Sequence, residues 1–306
     1  MPQRKLISFD WAMKKLLRSK ANFEILEGFL SELLMEDVRI LELLESESNQ
    51  EDVRDKFNRV DLKVKNDKEE ILIIEVQYER EFDYLQRILF GTSKVITEHL
   101  HKKEPYSKVA KVISINILYF DLGQGKDYIY HGTTSFRGLH EQDLLLLSDE
   151  QRKLYGKEKL HEIFPEYYLI KVNNFDDIAK DTLDEWIYFL KNEEIKSDFK
   201  AKGIKKAKQE LDILKLSDEE RRAYERYQDD LHYQASMVES SYTVGVMKGI
   251  EKGTEQGVIQ GEKQKALQIA INLIRKDVLD AQEIAELTEL PVEEINRLKD
   301  EKYTNT

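Results

Sequence analysis

The chain has 306 residues, 41% hydrophobic and 35% charged, with 15 Tyr, 12 Phe and 2 Trp, which is enough apolar material for about two packed domains and excludes wholesale disorder. The absence of Cys removes disulfides, thiolate metal ligands and thiol nucleophiles. A net charge of −12 argues against binding nucleic acid by bulk charge, though not against an enzyme that holds DNA with one local patch. The aliphatic runs ILII (71–74) and LLLL (144–147) are too short to span a bilayer, and MPQRKLISFDWAMKK meets charges before an apolar stretch can form. The expectation is a cytoplasmic protein with no membrane partner and no secretory signal.

Residues 9–35 place apolar side chains three and four apart, which predicts a helix with Ser8 as N-cap. Residues 45–56, ESESNQEDVRDK, predict a loop. The period then changes to two. VDLKVK (60–65) sets Val60, Leu62 and Val64 against Asp61, Lys63 and Lys65, and ILIIEVQ (71–77) is more continuously apolar. With NDKEE (66–70) as the turn, these two strands predict an antiparallel hairpin. Helical spacing returns over 82–100, and further strands are predicted at 109–120, 127–132 and 166–172. Residues 175–192 predict an amphipathic helix with Ile178, Leu183, Trp186 and Leu190 on its apolar side. Near residue 195 the pattern changes from mixed α and β to helix alone.

Gly245, Gly249, Gly253, Gly257 and Gly261 recur every four residues. In a helix each costs about 0.8–1 kcal/mol relative to Ala, so the series is either a helix in close contact with another helix or a flexible charged linker. A four-residue step turns the stripe by about 40°, so a straight partner meets two or three glycines. Residues 266–299 predict a small helical module in which Asp280 caps the second helix and Pro291 opens the third. It is shaped like a helix-turn-helix, but Glu293, Glu294 and Asp300 oppose Arg297 and Lys299, which favours packing over base readout. Two basic stretches, Lys200, Lys202, Lys205, Lys206 and Lys208, and the looser Lys102, Lys103, Lys108 and Lys111, are nucleic-acid candidates or solvated helix faces.

There is no Walker A loop, dinucleotide fingerprint, GxSxG elbow or HExxH pair. His99 and His101, two apart on a predicted helix, diverge. The hairpin carries the chemistry instead. A carboxylate beside ILII is expensive to bury unless it is paired or holds a metal. Asp61 and Glu75 on neighbouring strands can bring hard oxygen ligands to one Mg²⁺ or Mn²⁺, and Gln77 shares a strand face with Glu75. The alternative is that both acids are surface residues of a half-exposed hairpin, because D-x13-E-x-Q is a short and permissive pattern.

The order of elements, with FDWAMKKLL (9–17), VDLKVK, IIEVQ (73–77), the helix of Arg87, PYSKVAKVISINIL (105–118) and LDEWIYFLKN (183–192), resembles the PD-(D/E)XK nuclease superfamily. More narrowly it resembles the recombination-promoting nuclease and putative transposase family, with the glycine series and EIAELTELPVEEINRL (283–298) resembling that family's tail. The resemblance implies an α/β restriction-endonuclease-like core, a central mixed sheet flanked by helices, over residues 1–192. A helical segment over 193–262 and a small helical tail over 263–306 would complete an all-helical C-terminal extension. It implies a metal-dependent DNA endonuclease tied to recombination or mobile elements, with DNA as partner and self-association through the extension. Asp61 and Glu75 match the two motif acids, and Asp10, in the D-x3-K match with Lys14, aligns with an acid of the first core helix that joins the metal site. Gln77 stands where the superfamily usually has lysine. An amide orients water by hydrogen bonds but brings no charge, so Lys63 or Lys14 is expected to supply it, with Arg87 in support. The other reading is a decayed nuclease scaffold that serves as a DNA-associated or protein-interaction module.

Overall fold

A computed structural model describes residues 6–44, 61–100 and 105–304; the expected loop at 45–56, Val60, His101, Lys102 and Lys103 lie outside them. The chain divides into two compact units, Met1–Leu231 and His232–Thr306.

In the first unit the expected helix over 9–35 is two helices, α1 (Phe9–Lys15) and α2 (Phe23–Leu34). The chain turns between them because the Leu16 carbonyl accepts from the Ser19 amide at 3.1 Å and from Asn22 Nδ2 at 3.1 Å. Ser8 occupies the N-cap position of α1, but its side chain makes no capping bond.

The strands are β1 (Ile40–Leu43), β2 (Leu62–Asn66), β3 (Ile71–Gln77), β4 (Val112–Leu118), β5 (Ile129–Gly132) and β6 (Glu166–Lys171), in the spatial order β1-β2-β3-β4-β6-β5. β3, β4 and β6 run parallel and the outer pairings are antiparallel, so the sheet is mixed. The β2–β3 hairpin pairs Leu62 with Ile74 and Lys63 with Ile73. Asn66 closes its turn, its Oδ1 accepting from the amides of Lys68 at 3.1 Å and Glu70 at 2.8 Å. β1 has no counterpart in the predicted strands.

Alternation divides the sheet's two faces. Leu62, Val64, Leu72, Ile74 and Val76 enter the main core with α1, α2 and α5 (Thr182–Asn192). Ile71, Ile73 and Val112 face α3 (Tyr84–Glu98) through Val95. The main core is centred on Phe9, Phe29, Trp186 and Phe189, packed edge to face with centroids 5.4–6.2 Å apart. α5 starts later than its apolar spacing predicts, because Asp181 caps it by accepting from the Asp184 amide at 2.9 Å. Ile178, expected on its buried side, is 60% exposed.

The core does not end with α5. Buried Glu185 accepts from the amides of Lys200 at 2.7 Å and Ala201 at 2.6 Å, and the Trp186 indole donates to the Lys202 carbonyl at 3.2 Å. This draws α6 (Ile204–Glu210) so close to α2 that a Cβ on Gly28 would overlap the Lys202 carbonyl oxygen. Ile204, Ala207, Leu211, Leu216 and Tyr224 all belong to the same core, so the expected end at residue 192 leaves out residues that pack within it. Between α3 and α5 lies the short α-helix α4 (Asp149–Tyr155).

α7 (Asp218–Lys276) begins in the first unit and continues into the second as one unbroken helix. All five period-four glycines lie within it, in helical backbone, and a Cβ on any of them would meet nothing within 4 Å. In the second unit the end of α7, α8 (Ala281–Thr288) and α9 (Val292–Thr304) bury Ala270, Ile274, Ile284, Leu290 and Ile295 together. Asp280 caps α8 as expected, accepting from the amides of Gln282 at 2.8 Å and Glu283 at 2.9 Å. Among the described residues no helix is long and apolar enough to cross a membrane.

Candidate active site

β3 runs through its apolar stretch and ends in Glu75, Val76 and Gln77, beside the start of β2. Asp61 immediately precedes β2, and its Oδ2 accepts from the Val76 amide at 2.7 Å, clamping the two strand ends together. Its carbonyl accepts from Arg18 Nη2 at 3.0 Å. α1 delivers Asp10 and Lys14 to the same place, because positions four apart share a helix face. Lys14 Nζ lies 2.9 Å from Asp10 Oδ1 and 3.5 Å from Asp61 Oδ1, bridging the two acids.

Glu75 is 8% exposed and pairs with Arg87 Nη2 from α3. The other guanidinium nitrogen, Nη1, lies 2.6 Å from Glu81 Oε1, which also accepts from Gln77 Nε2 at 3.0 Å. Gln77 Nε2 donates a second bond to the Glu79 carbonyl at 3.3 Å. The side-chain amide thus donates both its hydrogens inside the protein, to Glu79 and Glu81.

The acids are electrostatically coupled. Burial pushes Asp10 up to about 6, against the pull of Lys14 and with the Asp61 charge adding to the rise. Burial likewise pushes Glu75 up to about 7, opposed by Arg87 and reinforced by Asp61 and Glu81. Lys14 is held above its ordinary value: burial works against its charge, but Asp61 and Asp10 outweigh it. Asp61 therefore acts on both Asp10 and Glu75 in a partly desolvated corner served by Lys14 and Arg87.

A hard divalent ion suits these donors. Asp61 and Glu75 supply carboxylate oxygens, and a cation would offset both the burial of Asp10 and Glu75 as charged groups and the lesser repulsion from Asp61. Among the described residues no three Asp, Glu or His side chains form a ready-made metal cage. Mg²⁺ does not require one, because it is commonly held by one or two carboxylates with water and substrate phosphate completing its shell.

Asp10, Lys14 and Asp61 are brought together, as are Glu75, Gln77 and Arg87. Lys63 goes elsewhere: opposite Ile73 in the hairpin, its Nζ lies 3.6 Å from Glu98 at the far end of α3 from Arg87. Three lysines of the 200–208 stretch are engaged by partners within the chain, although Lys202 and Lys208 are themselves exposed. Lys202 pairs with Asp37 and donates to Ser31 Oγ at 3.1 Å, Lys206 reaches Glu24 at 2.9 Å, and Lys208 donates to the Ile195 carbonyl at 2.7 Å. Lys200 and Lys205 are exposed. Glu81, Arg18 and Tyr227, whose hydroxyl donates to Asp10 Oδ2, are not anticipated by the sequence. The E-x5-R spacing of Glu81 and Arg87 is the one signal that points to any of them.

The family model described as PD-(D/E)XK nuclease family transposase matches residues 7–241. The chain belongs to this family. The match runs from just before α1 into α7, so the PD-(D/E)XK nuclease family transposase region contains Asp10, Asp61, Glu75, Gln77, Arg87 and Tyr227. It stops short of Gly245 and of the second unit's core, leaving the tail resemblance outside it. The mixed sheet with flanking helices is the α/β restriction-endonuclease-like architecture of the superfamily. No curated protein and no solved structure matches the chain.

Proposed function

We propose that this chain is a Mg²⁺- or Mn²⁺-dependent DNA endonuclease that hydrolyses phosphodiester bonds in the cytoplasm, in the service of recombination or mobile-element movement. The observation that carries the reading is buried Glu75 and buried Asp10 gathered about the half-buried Asp61 carboxylate, whose charge acts on both, at the end of the β2–β3 hairpin in a chain of a nuclease family. Asp61 and Glu75 would hold the ion, with Asp10 at its margin. Bound there, a divalent ion supplies positive charge to a phosphodiester undergoing displacement by water.

The surrounding residues have separable tasks. Arg87, anchored by Glu81, fixes the Glu75 carboxylate. Gln77 offers its carbonyl oxygen to a hydrogen of the attacking water, an orienting role without charge. Lys14, in contact with Asp61, takes over the positive charge that the superfamily usually places at position 77, a choice over Lys63 supported by the pairing of Lys63 with Glu98. Exposed Lys200 and Lys205 are the members of the basic stretch available to DNA phosphates. Self-association through α7 completes the proposal: the glycines leave open space, and Val246, Met247, Ile250, Val258 and Ile259 are exposed beside them.

The alternative, a decayed nuclease scaffold that associates with DNA or protein without cutting, is favoured by Gln77 and by the capture of Glu75 by Arg87. Incubating purified protein with supercoiled plasmid in Mg²⁺, Mn²⁺ or EDTA separates the two. Metal-dependent nicking or linearisation supports the first, and DNA binding without cleavage supports the second.

A further inference from the structure

We infer that Tyr227, in α7 and 217 residues from Asp10 along the chain, is a positioning residue of the candidate site. The inference rests on the nuclease reading and adds a residue to it. The Tyr227 hydroxyl donates to Asp10 Oδ2, while Lys14 Nζ lies 2.9 Å from the other oxygen, Oδ1. The ring of Tyr227 lies under the same ammonium, 5.6 Å from Nζ to centroid. One side chain therefore touches both members of the α1 pair, and Lys14 carries the arrangement on to Asp61 at 3.5 Å.

The chemistry of the side chain matters. Asp10 is 2% exposed, so the direction in which its carboxylate points is set by neighbours rather than by water. A phenol fixes that direction through one neutral donor and adds no charge to the one that Lys14 already brings. A lysine or arginine in its place would set a second cation against a carboxylate that Lys14 already pairs. Hydrogen bonds of this kind behind a ligating carboxylate typically govern metal affinity.

Tyr224, one turn earlier on α7, supplies a contrast. Its hydroxyl accepts from the Ser8 amide at 3.0 Å and from Gln228 Nε2 at 3.1 Å, and its ring packs edge-on against Trp11 at 5.3 Å. It docks α7 on α1 and is joined to no acid of the site by a hydrogen bond. The two tyrosines separate holding the helix in place from orienting the carboxylate.

The test uses full-length wild type, Tyr227→Phe, Asp10→Asn, the double variant and Tyr224→Phe, with plasmid cleavage across a Mg²⁺ titration and Mn²⁺ binding by calorimetry. Tyr227→Phe should raise the Mg²⁺ concentration for half-maximal cleavage about tenfold and weaken Mn²⁺ binding by the same factor, with the rate at saturating Mg²⁺ close to wild type. In the Asp10→Asn background the same change should have no further effect on either. Tyr224→Phe should lower the thermal midpoint and leave the metal dependence unchanged. A Tyr227→Phe protein with wild-type Mg²⁺ and Mn²⁺ dependence, or an effect that adds in full to that of Asp10→Asn, overturns the inference while leaving the nuclease reading standing. A wild type that neither cleaves nor binds Mn²⁺ overturns both.

Discussion

Replacing Glu75 by Gln should stabilise the metal-free protein, and by more as pH rises. Burial holds the Glu75 carboxyl at about 7 against an ordinary 4.5, so between those values the folded state binds more protons than the unfolded chain. Stability is then lost as pH rises through that window. The loss amounts to about 3 kcal/mol by pH 8 and less than about 1 kcal/mol at pH 5. Asp10, raised to about 6, tilts the wild type in the same direction. Gln keeps the shape of the protonated acid and can still accept from Arg87, which retains its bond to Glu81. Urea unfolding in EDTA at pH 5 and pH 8 measures the difference directly. The variant should gain on the order of 3 kcal/mol at pH 8 and far less at pH 5. A destabilised variant at pH 8, or a gain equal at both pH values, would show that Glu75 is satisfied by Arg87 and is a structural ion pair.

Gln77→Lys should stay folded, since the ammonium can pair with Glu81, and should keep or raise plasmid cleavage; a folded but inactive protein would mean that the amide oxygen is specifically required. Gly249→Leu with Gly253→Leu should shift sedimentation toward smaller species, and because a Cβ at either position meets nothing within 4 Å in the chain itself, a shift would report contact with another copy. An unchanged profile would dissociate the glycines from self-association. Lys200→Glu with Lys205→Glu should weaken DNA binding and flatten its salt dependence, whereas Lys206→Ala should mainly lower the thermal midpoint by removing its pair with Glu24. Equal DNA affinity in the Lys200/Lys205 variant and wild type would take the stretch out of the interface.

The hairpin and its acids were legible because period-two alternation, a turn signal and an acid beside an apolar run all lie within 17 residues, 61–77. Asp10 and Lys14 were legible only through the family resemblance; their being four apart on one short helix accounts for the shared face. The limits are physical as well. β1 has only four residues with a single buried position, too short to show a period. The 9–35 helix breaks where side-chain and backbone donors compete for the Leu16 carbonyl, which apolar spacing does not record. Lys63 shares a strand parity with Asp61, but parity fixes a face and not a position along it, and the lysine lies nearer Glu98. The lysines at 202, 206 and 208 read as a solvated basic face because the acids and carbonyls they meet belong to other segments. Tyr227 reaches Asp10 only once α7 has docked, so no local pattern encodes it.

The central claim is that Asp61 and Glu75 form a working metal-dependent nuclease site despite Gln77. Its most direct test is cleavage of supercoiled plasmid by wild type and Asp61→Ala, side by side in Mg²⁺ and in EDTA. Wild type should convert the plasmid in Mg²⁺ and not in EDTA, and Asp61→Ala should do so in neither while its thermal midpoint stays at or above that of wild type. Cleavage by Asp61→Ala at the wild-type rate would contradict the claim.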